Sequence, residues 1–342
     1  MKIVLSLFLL LGLIGCSSDQ GSASKDSHTG PRKPQQDQTD NDQDTSGNPK
    51  RCVTNKVVEI LLDKKTVISQ SSKDSYQYVV WDHESLTKKN EIDRSKSYYR
   101  LSPTGEYVLR KITDNKFQLE NLGKNSHYRE SLNFSGNMQS IDFSLKSDFI
   151  IATTRSRKSI DQISVFDIFK KQKVFETTLD NIKYSQMIDD QHLYVASGSR
   201  SSNYLEIFDL TKENSKRIRL RYGELRWLGI SRNMAFAKID SRYYAYELNN
   251  EELLYTINIR AVYDFDYESD LAIISKEDFN QIHIFDIQTG YIKATHTRPE
   301  NVYISTCRFT SDSSVLACRS KNNVDKIVLW NTETDVTKEV CF

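Results

Sequence analysis

The fold is decided by a ten-residue stretch at positions 281–290, Gln-Ile-His-Ile-Phe-Asp-Ile-Gln-Thr-Gly. A short apolar run ends in an aromatic residue and an acid, and a polar turn with a glycine follows. Runs of this kind, rich in β-branched and aromatic residues, are typical of strands covered on both faces. The stretch therefore predicts a buried strand, a tight turn and the start of another strand.

Related steps, a large apolar residue followed by an acid or amide, recur along nearly the whole chain after residue 50. The seven steps are Trp81-Asp82, Leu119-Glu120, Phe166-Asp167, Phe208-Asp209, Tyr246-Glu247, Phe285-Asp286 and Trp330-Asn331. Their spacing runs from 38 residues (82 to 120) to 47 residues (120 to 167), and one four-stranded propeller blade takes about 40–50 residues. The repeat predicts an all-β fold, a seven-bladed β-propeller of four-stranded antiparallel blades with this step on each third strand.

A second signature precedes each step, namely small turn-forming residues between two apolar runs, as a tight hairpin needs. The clearest case is residues 101–109, Leu-Ser-Pro-Thr-Gly-Glu-Tyr-Val-Leu, with equivalents that begin at Ile141, Phe265 and Phe309. A hairpin followed by such a strand resembles the repeats of WD40 and related degenerate, YVTN/quinoprotein-like propellers over about residues 53–342. The Gly-His dipeptide of eukaryotic WD40 repeats is absent, and only Trp81-Asp82 keeps the literal Trp-Asp pair.

The amino terminus has the pattern of an export signal, because Lys2 precedes a short apolar run that is too short to span a bilayer comfortably. The run ends Leu13-Ile14-Gly15-Cys16, which resembles the lipobox of bacterial lipoproteins. That resemblance implies a signal peptide at 1–15, cleavage before Cys16 and lipid on the Cys16 thiol. The alternative is an ordinary secreted protein with a stray cysteine.

Residues 16–50 are predicted to be a disordered linker that carries the lipidated cysteine. Residues 17–50 contain no Phe, Tyr, Trp, Val, Ile or Leu, so they cannot bury enough apolar area to offset chain entropy. Ser17 and Ser18 stand where inner-membrane lipoproteins of diderm bacteria commonly carry Asp. We therefore expect a cell-envelope protein, lipid-anchored in the outer membrane and facing the periplasm, whose residues 51–342 form the propeller.

The four other cysteines suggest disulfides, because an exported chain with an even number of cysteines has an oxidising destination. Cys307 and Cys318 flank one hairpin, and Cys52 and Cys341 lie at the two ends of the propeller, which a closed ring brings together. We predict the pairs Cys307–Cys318 and Cys52–Cys341 among three connectivities, with buried thiols as the alternative. The second bridge would lock a ring in which each blade is one continuous segment.

Charge and motifs give no sign of nucleic-acid binding or of catalysis. The formal net charge is +1, so no global field attracts nucleic acid. The sequence contains no His-Glu-x-x-His, Gly-x-Ser-x-Gly or Cys-x-x-Cys motif and no phosphate-binding glycine loop. We therefore expect no enzymatic activity and no cofactor.

The innermost strands nevertheless carry ionisable residues, which are Arg100, Asp142, Arg226, Asp264, Asp266 and Arg308. One interpretation is a metal ion held by Asp142, Asp264 and Asp266. The other, which we favour, is a wet channel whose charges satisfy one another.

Two basic stretches are candidate anion-binding sites. Arg155, Arg157 and Lys158 are predicted to lie in a loop before Phe166, and residues 216–221 (Lys-Arg-Ile-Arg-Leu-Arg) are predicted to form an outer strand. The alternative for the outer strand is that its cations discourage edge-to-edge aggregation.

Polar loops between second and third strands are predicted to share one face, at residues 71–76, 154–162, 197–204, 275–281 and 319–326. A rigid ring that displays variable loops is a binding platform. The sequence therefore favours a non-catalytic, membrane-anchored scaffold for protein–protein interaction in the bacterial envelope. Alternatives are a propeller enzyme, either a lactonase-like hydrolase or a quinone-dependent dehydrogenase, and a binder of envelope glycan or lipid anions.

Overall fold

The computed structural model describes residues 56–60, 66–70, 77–82, 87–93, 100–122, 129–156, 160–212, 214–276, 280–310, 314–322 and 326–341. All of them belong to one unit, Lys50–Phe342. The predicted signal peptide, Cys16 and the linker at 16–50 lie outside the described residues and stay predictions. Within the described ranges every regular element is a strand, and none contains a helix long and apolar enough to cross a membrane.

Seven four-stranded antiparallel sheets follow one another along the chain and form the blades of a ring, as predicted. The first four blades comprise β1 (Lys56–Ile60), β2 (Thr66–Gln70), β3 (Gln77–Asp82), β4 (Thr87–Asp93); β5 (Arg100–Leu101), β6 (Tyr107–Thr113), β7 (Lys116–Asn121), β8 (Arg129–Asn133); β9 (Asn137–Phe143), β10 (Phe149–Arg155), β11 (Ile160–Asp167), β12 (Gln172–Asp180); and β13 (Ile182–Met187), β14 (His192–Ser199), β15 (Ser202–Asp209), β16 (Asn214–Leu220). The last three comprise β17 (Leu225–Ile230), β18 (Met234–Ile239), β19 (Arg242–Glu247), β20 (Glu252–Ile257); β21 (Ala261–Asp266), β22 (Leu271–Ser275), β23 (Gln281–Asp286), β24 (Tyr291–Thr297); and β25 (Val302–Phe309), β26 (Val315–Ser320), β27 (Lys326–Asn331), β28 (Val336–Cys341).

The first strand of each blade is the innermost one. Neighbouring first strands contact each other directly, since the Arg308 guanidinium of β25 donates to the Tyr263 carbonyl of β21 at 2.9 Å. Because strands alternate in direction within a blade, the second-to-third connections and the linkers between blades open on the same side of the ring. We name this side the linker face, and the opposite side the turn face.

The repeated acid has a local structural role on the turn face. It ends the third strand in six blades. Several of these side chains accept backbone N–H groups of the following turn: Asp167 from Lys170 at 2.8 Å, Asp286 from Thr289 at 3.0 Å, and Asn331 from Glu333 and Thr334 at 2.9 Å. Asx side chains stabilise turns in this way. In the second blade Glu120 lies one residue before the strand end and instead pairs with Arg110 at 2.7 Å.

The hairpin signature is explained by buried serines that close the first-to-second connection. The Ser102 hydroxyl accepts the N–H groups of Glu106 and Tyr107 at 3.1 and 3.0 Å. Ser144 does the same for Asp148 and Phe149 at 3.1 and 3.0 Å in the next blade. Small side chains with one acceptor therefore recur because each hairpin buries backbone donors that need a partner.

The ring closes by side-chain packing between its first and last blades. Val67 of β2 is fully buried in one cluster with Ala317, Ile327 and Val340 of the last blade, and Trp81 packs against them. Each blade is one continuous segment, so no strand is exchanged across this seam. Hydrophobic burial is the described interaction that joins the two ends.

The predicted pairing of Cys307 with Cys318 is present as a disulfide, with sulfur atoms 2.06 Å apart and Cα atoms 4.1 Å apart. The two residues face each other across β25 and β26, because Arg308 opposes Ala317 in the adjacent register position. Cys52 and the side chain of Cys341 lie outside the described part of the chain, so the second bridge stays a prediction.

Candidate functional site

The described residues form a groove on the linker face where the fifth and sixth blades meet. It consists of two cavities of about 630 and 470 Å³, which share residues 258–260 of the linker between β20 and β21. We name these two cavities together the groove. Each of the two cavities has a volume in the range of ligand-binding clefts.

Four cations from four separate elements line the groove. Arg226 comes from β17, Lys238 from β18, Arg260 from the linker, and Lys276 from the segment after β22. Their positions follow from the blade plan, because the start of a first strand and the end of a second strand both meet the linker face.

Hydrogen bonds to the fifth and sixth blades fix the linker that lines both cavities. The Arg260 N–H donates to the Ser275 carbonyl at 2.9 Å, and the Tyr243 hydroxyl hydrogen-bonds the backbone of Val262. Ile259, the middle residue of this linker, is itself buried. The floor of the groove is therefore part of the rigid ring, while the Arg260 and Lys276 side chains are exposed.

The groove carries an excess of positive charge. Its lining has four cations and one carboxylate, Asp240, which gives a formal charge of +3. Asp240 already accepts the Glu224 N–H at 2.9 Å, and the Glu224 carboxylate lies 3.3 Å from Arg226 and 3.6 Å from Arg200. The excess is local, because the whole chain has a net charge of only +1.

The titration of the lining residues reflects this excess. Desolvation and the neighbouring Arg226 lower the pKa of Lys238, whose Nζ lies 5.0 Å from the centre of the Tyr243 ring. Burial, with smaller contributions from Lys276 and His296, lowers the pKa of His283, so this imidazole is neutral near pH 7. Like charges held together in partly desolvated positions favour an anion between them.

Arg155 does not lie in a loop, as the sequence suggested. It is the last residue of β10, opposite Asp161 in register, and its guanidinium makes bonds of 2.6 and 3.1 Å to the Asp161 carboxylate. Asp161 is fully buried and also accepts the Ile182 N–H at 2.7 Å. Arg155 thus neutralises a buried structural acid; Arg157 and Lys158 lie outside the described residues.

The outer strand is confirmed as β16, the outermost strand of its blade. Two of its cations have partners within the chain: Arg217 stacks on the Tyr204 ring at 3.7 Å and lies 3.7 Å from Glu206, and Lys216 donates to the Asn249 carbonyl at 2.6 Å. These contacts favour the interpretation as a protected sheet edge.

The predicted loop at 197–204 is wrong. Strand pairing continues to Ser199 and resumes at Ser202, so only residues 200 and 201 form the connection. Serines and a glycine suggested a long loop, but Gly198, with a φ of 118°, lies so close to Ser202 that a side chain would clash with its carbonyl. Of the other predicted loops, 71–76 lies outside the described residues.

The channel aspartates are not gathered into a metal site. Asp142 lies 3.9 Å from Arg100, and Asp264 lies 3.9 Å from Arg308. Asp266 is buried in a hairpin turn, where it accepts the Ser269 hydroxyl at 2.6 Å. The described residues contain no group of three or more His, Cys, Asp or Glu side chains arranged to hold a metal ion.

Comparison with known proteins identifies the fold and nothing finer. No protein-family model matches the chain, and no curated protein is significantly similar to it. The β-propeller domain of Cps50 (Swd1) from Myceliophteria thermophila is 13% identical over 82% of this chain and 97% of its own, with a TM-score of 0.50. Hsv2 from Kluyvelomyces marxianus is 17% identical over 60% of this chain and 65% of its own, with a TM-score of 0.44. The chain thus has a WD40-like propeller fold and spans less than two thirds of Hsv2.

Proposed function

We propose that this chain is a non-catalytic, lipid-anchored propeller that binds other proteins of the bacterial cell envelope. The observation that carries the proposal is the groove, an open recess on the linker face of a rigid ring. Tyr222, in the linker between β16 and β17, has an exposed fraction of 74%, and Tyr303 on β25 has 46%. Exposed tyrosines are enriched on protein-binding surfaces.

The contacts in the channel support binding over chemistry. A propeller enzyme of the lactonase or quinone-dependent type would use ionisable groups around the central axis, yet Asp264 and Asp142 are each neutralised by an arginine of a neighbouring blade. Asp264 also accepts the Phe309 N–H at 2.8 Å. These ionisable side chains form contacts between neighbouring blades, so their role is to stabilise the ring.

The anchor in this proposal is Cys16, and the expected location is the periplasmic side of the outer membrane. It is supported by the lipobox Leu13-Ile14-Gly15-Cys16 and by the absence of Asp at positions 17 and 18. Several acyl chains on one cysteine would hold the protein stably at a bilayer.

Membrane fractionation tests the lipid anchor, and cofactor and activity measurements on the purified protein test the absence of catalysis. We expect the wild type in the outer-membrane fraction with incorporated radioactive palmitate, and Cys16→Ser without label. Purified protein should contain no stoichiometric metal or quinone and should not hydrolyse lactones. Label retained by Cys16→Ser, or a bound cofactor with turnover, would contradict the proposal.

A further inference from the structure

We infer that the groove between the fifth and sixth blades is the docking site for an acidic, partly apolar polypeptide segment. The inference rests on the proposed function and adds the chemistry of the partner. Its basis is the arrangement of Arg226, Lys238, Arg260 and Lys276 along two joined cavities.

The cations are spread along the groove, not focused on a single point. Arg226 and Lys238 belong to one cavity, Lys276 belongs to the other, and Arg260 lines both. A ligand that runs along all four must carry several negative charges at intervals. An extended peptide with recurring Asp or Glu side chains meets this requirement.

The neutral lining matches a peptide backbone with apolar side chains. Ile257 offers partly exposed apolar surface in the groove, and Asn258, Gln281 and Ser241 offer amide and hydroxyl groups. Peptide main chains need such donors and acceptors when they leave water. Tyr222 lies exposed on the same face and extends the surface available to the partner.

The same features disfavour two other anions. A phosphate group is best held by donors that converge on one centre, whereas these cations line a groove. Lipid headgroups form a plane, and the cations are in a recess whose floor includes the buried Ile259. The acidic polypeptide is therefore the occupant that the chemistry fits best.

The test is fluorescence anisotropy with the purified full-length mature protein in detergent and a labelled peptide, Asp-Leu-Asp-Leu-Asp-Leu. The groove variant is Lys238→Gln with Lys276→Gln. The matched control is Lys146→Gln with Lys170→Gln, which removes the same charge from the turn face, where both side chains are more than half exposed. Equal thermal unfolding of all three proteins establishes that the folds are intact.

We expect the groove variant to bind the peptide about tenfold more weakly, since it removes two of the four cations that line the groove. The control should bind like the wild type, and a Lys-Leu peptide of the same length should not bind. Equal weakening in both variants, or no binding to the acidic peptide at low salt, overturns the inference. So does tighter binding of inorganic phosphate or phosphatidylglycerol vesicles that depends on the same two lysines.

Failure of this inference is distinguishable from failure of the proposed function. If the acidic peptide does not bind but linker-face residues still crosslink to envelope proteins in membranes, only the assignment of the groove is wrong. If neither occurs, the scaffold function is wrong as well.

Discussion

The substitution Ile327→Ala tests whether side-chain packing stabilises the seam between the first and last blades. Ile327 is the second residue of β27, is fully buried, and packs in one cluster with Val67 of the first blade. Ile282 is the second residue of β23, is equally buried, and packs in a cluster that joins the sixth and seventh blades. The two isoleucines are therefore matched in blade position and burial and differ in the interface they serve.

The expected loss of unfolding free energy follows from the burial of Ile327. Replacing a fully buried isoleucine with alanine removes apolar contacts and leaves a cavity, which lowers the free energy of unfolding by about 2–5 kcal/mol. For a domain of this size that corresponds to a fall in Tm of about 5–10 °C. If the seam is packed like any other blade interface, Ile327→Ala and Ile282→Ala should cost similar amounts.

Urea unfolding followed by tryptophan fluorescence measures the two variants beside the wild type, with and without reductant. Hydrogen exchange localises the effect, and for Ile327→Ala we expect faster exchange in β2 and β27. If Ile327→Ala lowers the unfolding free energy by less than about 0.5 kcal/mol while Ile282→Ala lowers it several times more, the seam is not packed as described. A change that small is typical of an exposed side chain.

Three further predictions concern the channel and the turns. Burial, opposed by Arg308 and the Phe309 N–H, raises the pKa of Asp264 to about 6, so this carboxyl favours the folded state below about pH 4 and loses that contribution as the pH rises through 6. Relative to Asp264→Asn, the wild type should therefore lose about 2 kcal/mol of unfolding free energy between pH 4 and pH 7, and urea titrations that differ by the same amount at both pH values would contradict this. Asp167→Ala, which removes the acceptor of the Lys170 N–H in the turn, should cost about 0.5–1.5 kcal/mol of unfolding free energy, whereas Asp167→Asn should be nearly neutral in the same assay, because Asn331 already fills this role. Gly290→Ala should lower the unfolding free energy by about 1–2 kcal/mol, since its φ is 76° and a Cβ would lie 3.1 Å from the Tyr255 ring; an unchanged Tm would show that the turn relaxes.

The propeller could be predicted from the sequence because its signals are local and repeat at a fixed interval. The step that ends in Asp167, Asp286 or Asn331 closes a turn next to its own strand. The pairing of Cys307 with Cys318 was predictable for the same reason, since both flank one hairpin.

The groove could not be predicted in this way, because its four cations are isolated in sequence at positions 226, 238, 260 and 276. Only the ring brings the start of one strand, the end of another and a linker to the same face. A usable signal did exist: each of these cations lies beside a predicted first or second strand, at the end that meets the linker face.

For Arg155 the sequence predicted a binding role that the structure does not support. Its neighbours Arg157 and Lys158 suggested a basic loop, but the residue that determines its role is Asp161, six positions later and directly opposite across a hairpin. The partner is visible only once the register of that hairpin is known. Sequence proximity of like charges was therefore a poorer guide than cross-strand position.

Site-specific photocrosslinking in intact cells tests the central claim, that the linker face binds envelope proteins, most directly. A photoreactive phenylalanine replaces Tyr222 on the linker face in one variant and Phe169 in the other. Phe169 follows β11 on the turn face and has an exposed fraction of 68%, so the two probes are similarly accessible. We expect a discrete protein adduct from position 222 and none from position 169. An adduct from position 169 alone, or none from position 222, would contradict it.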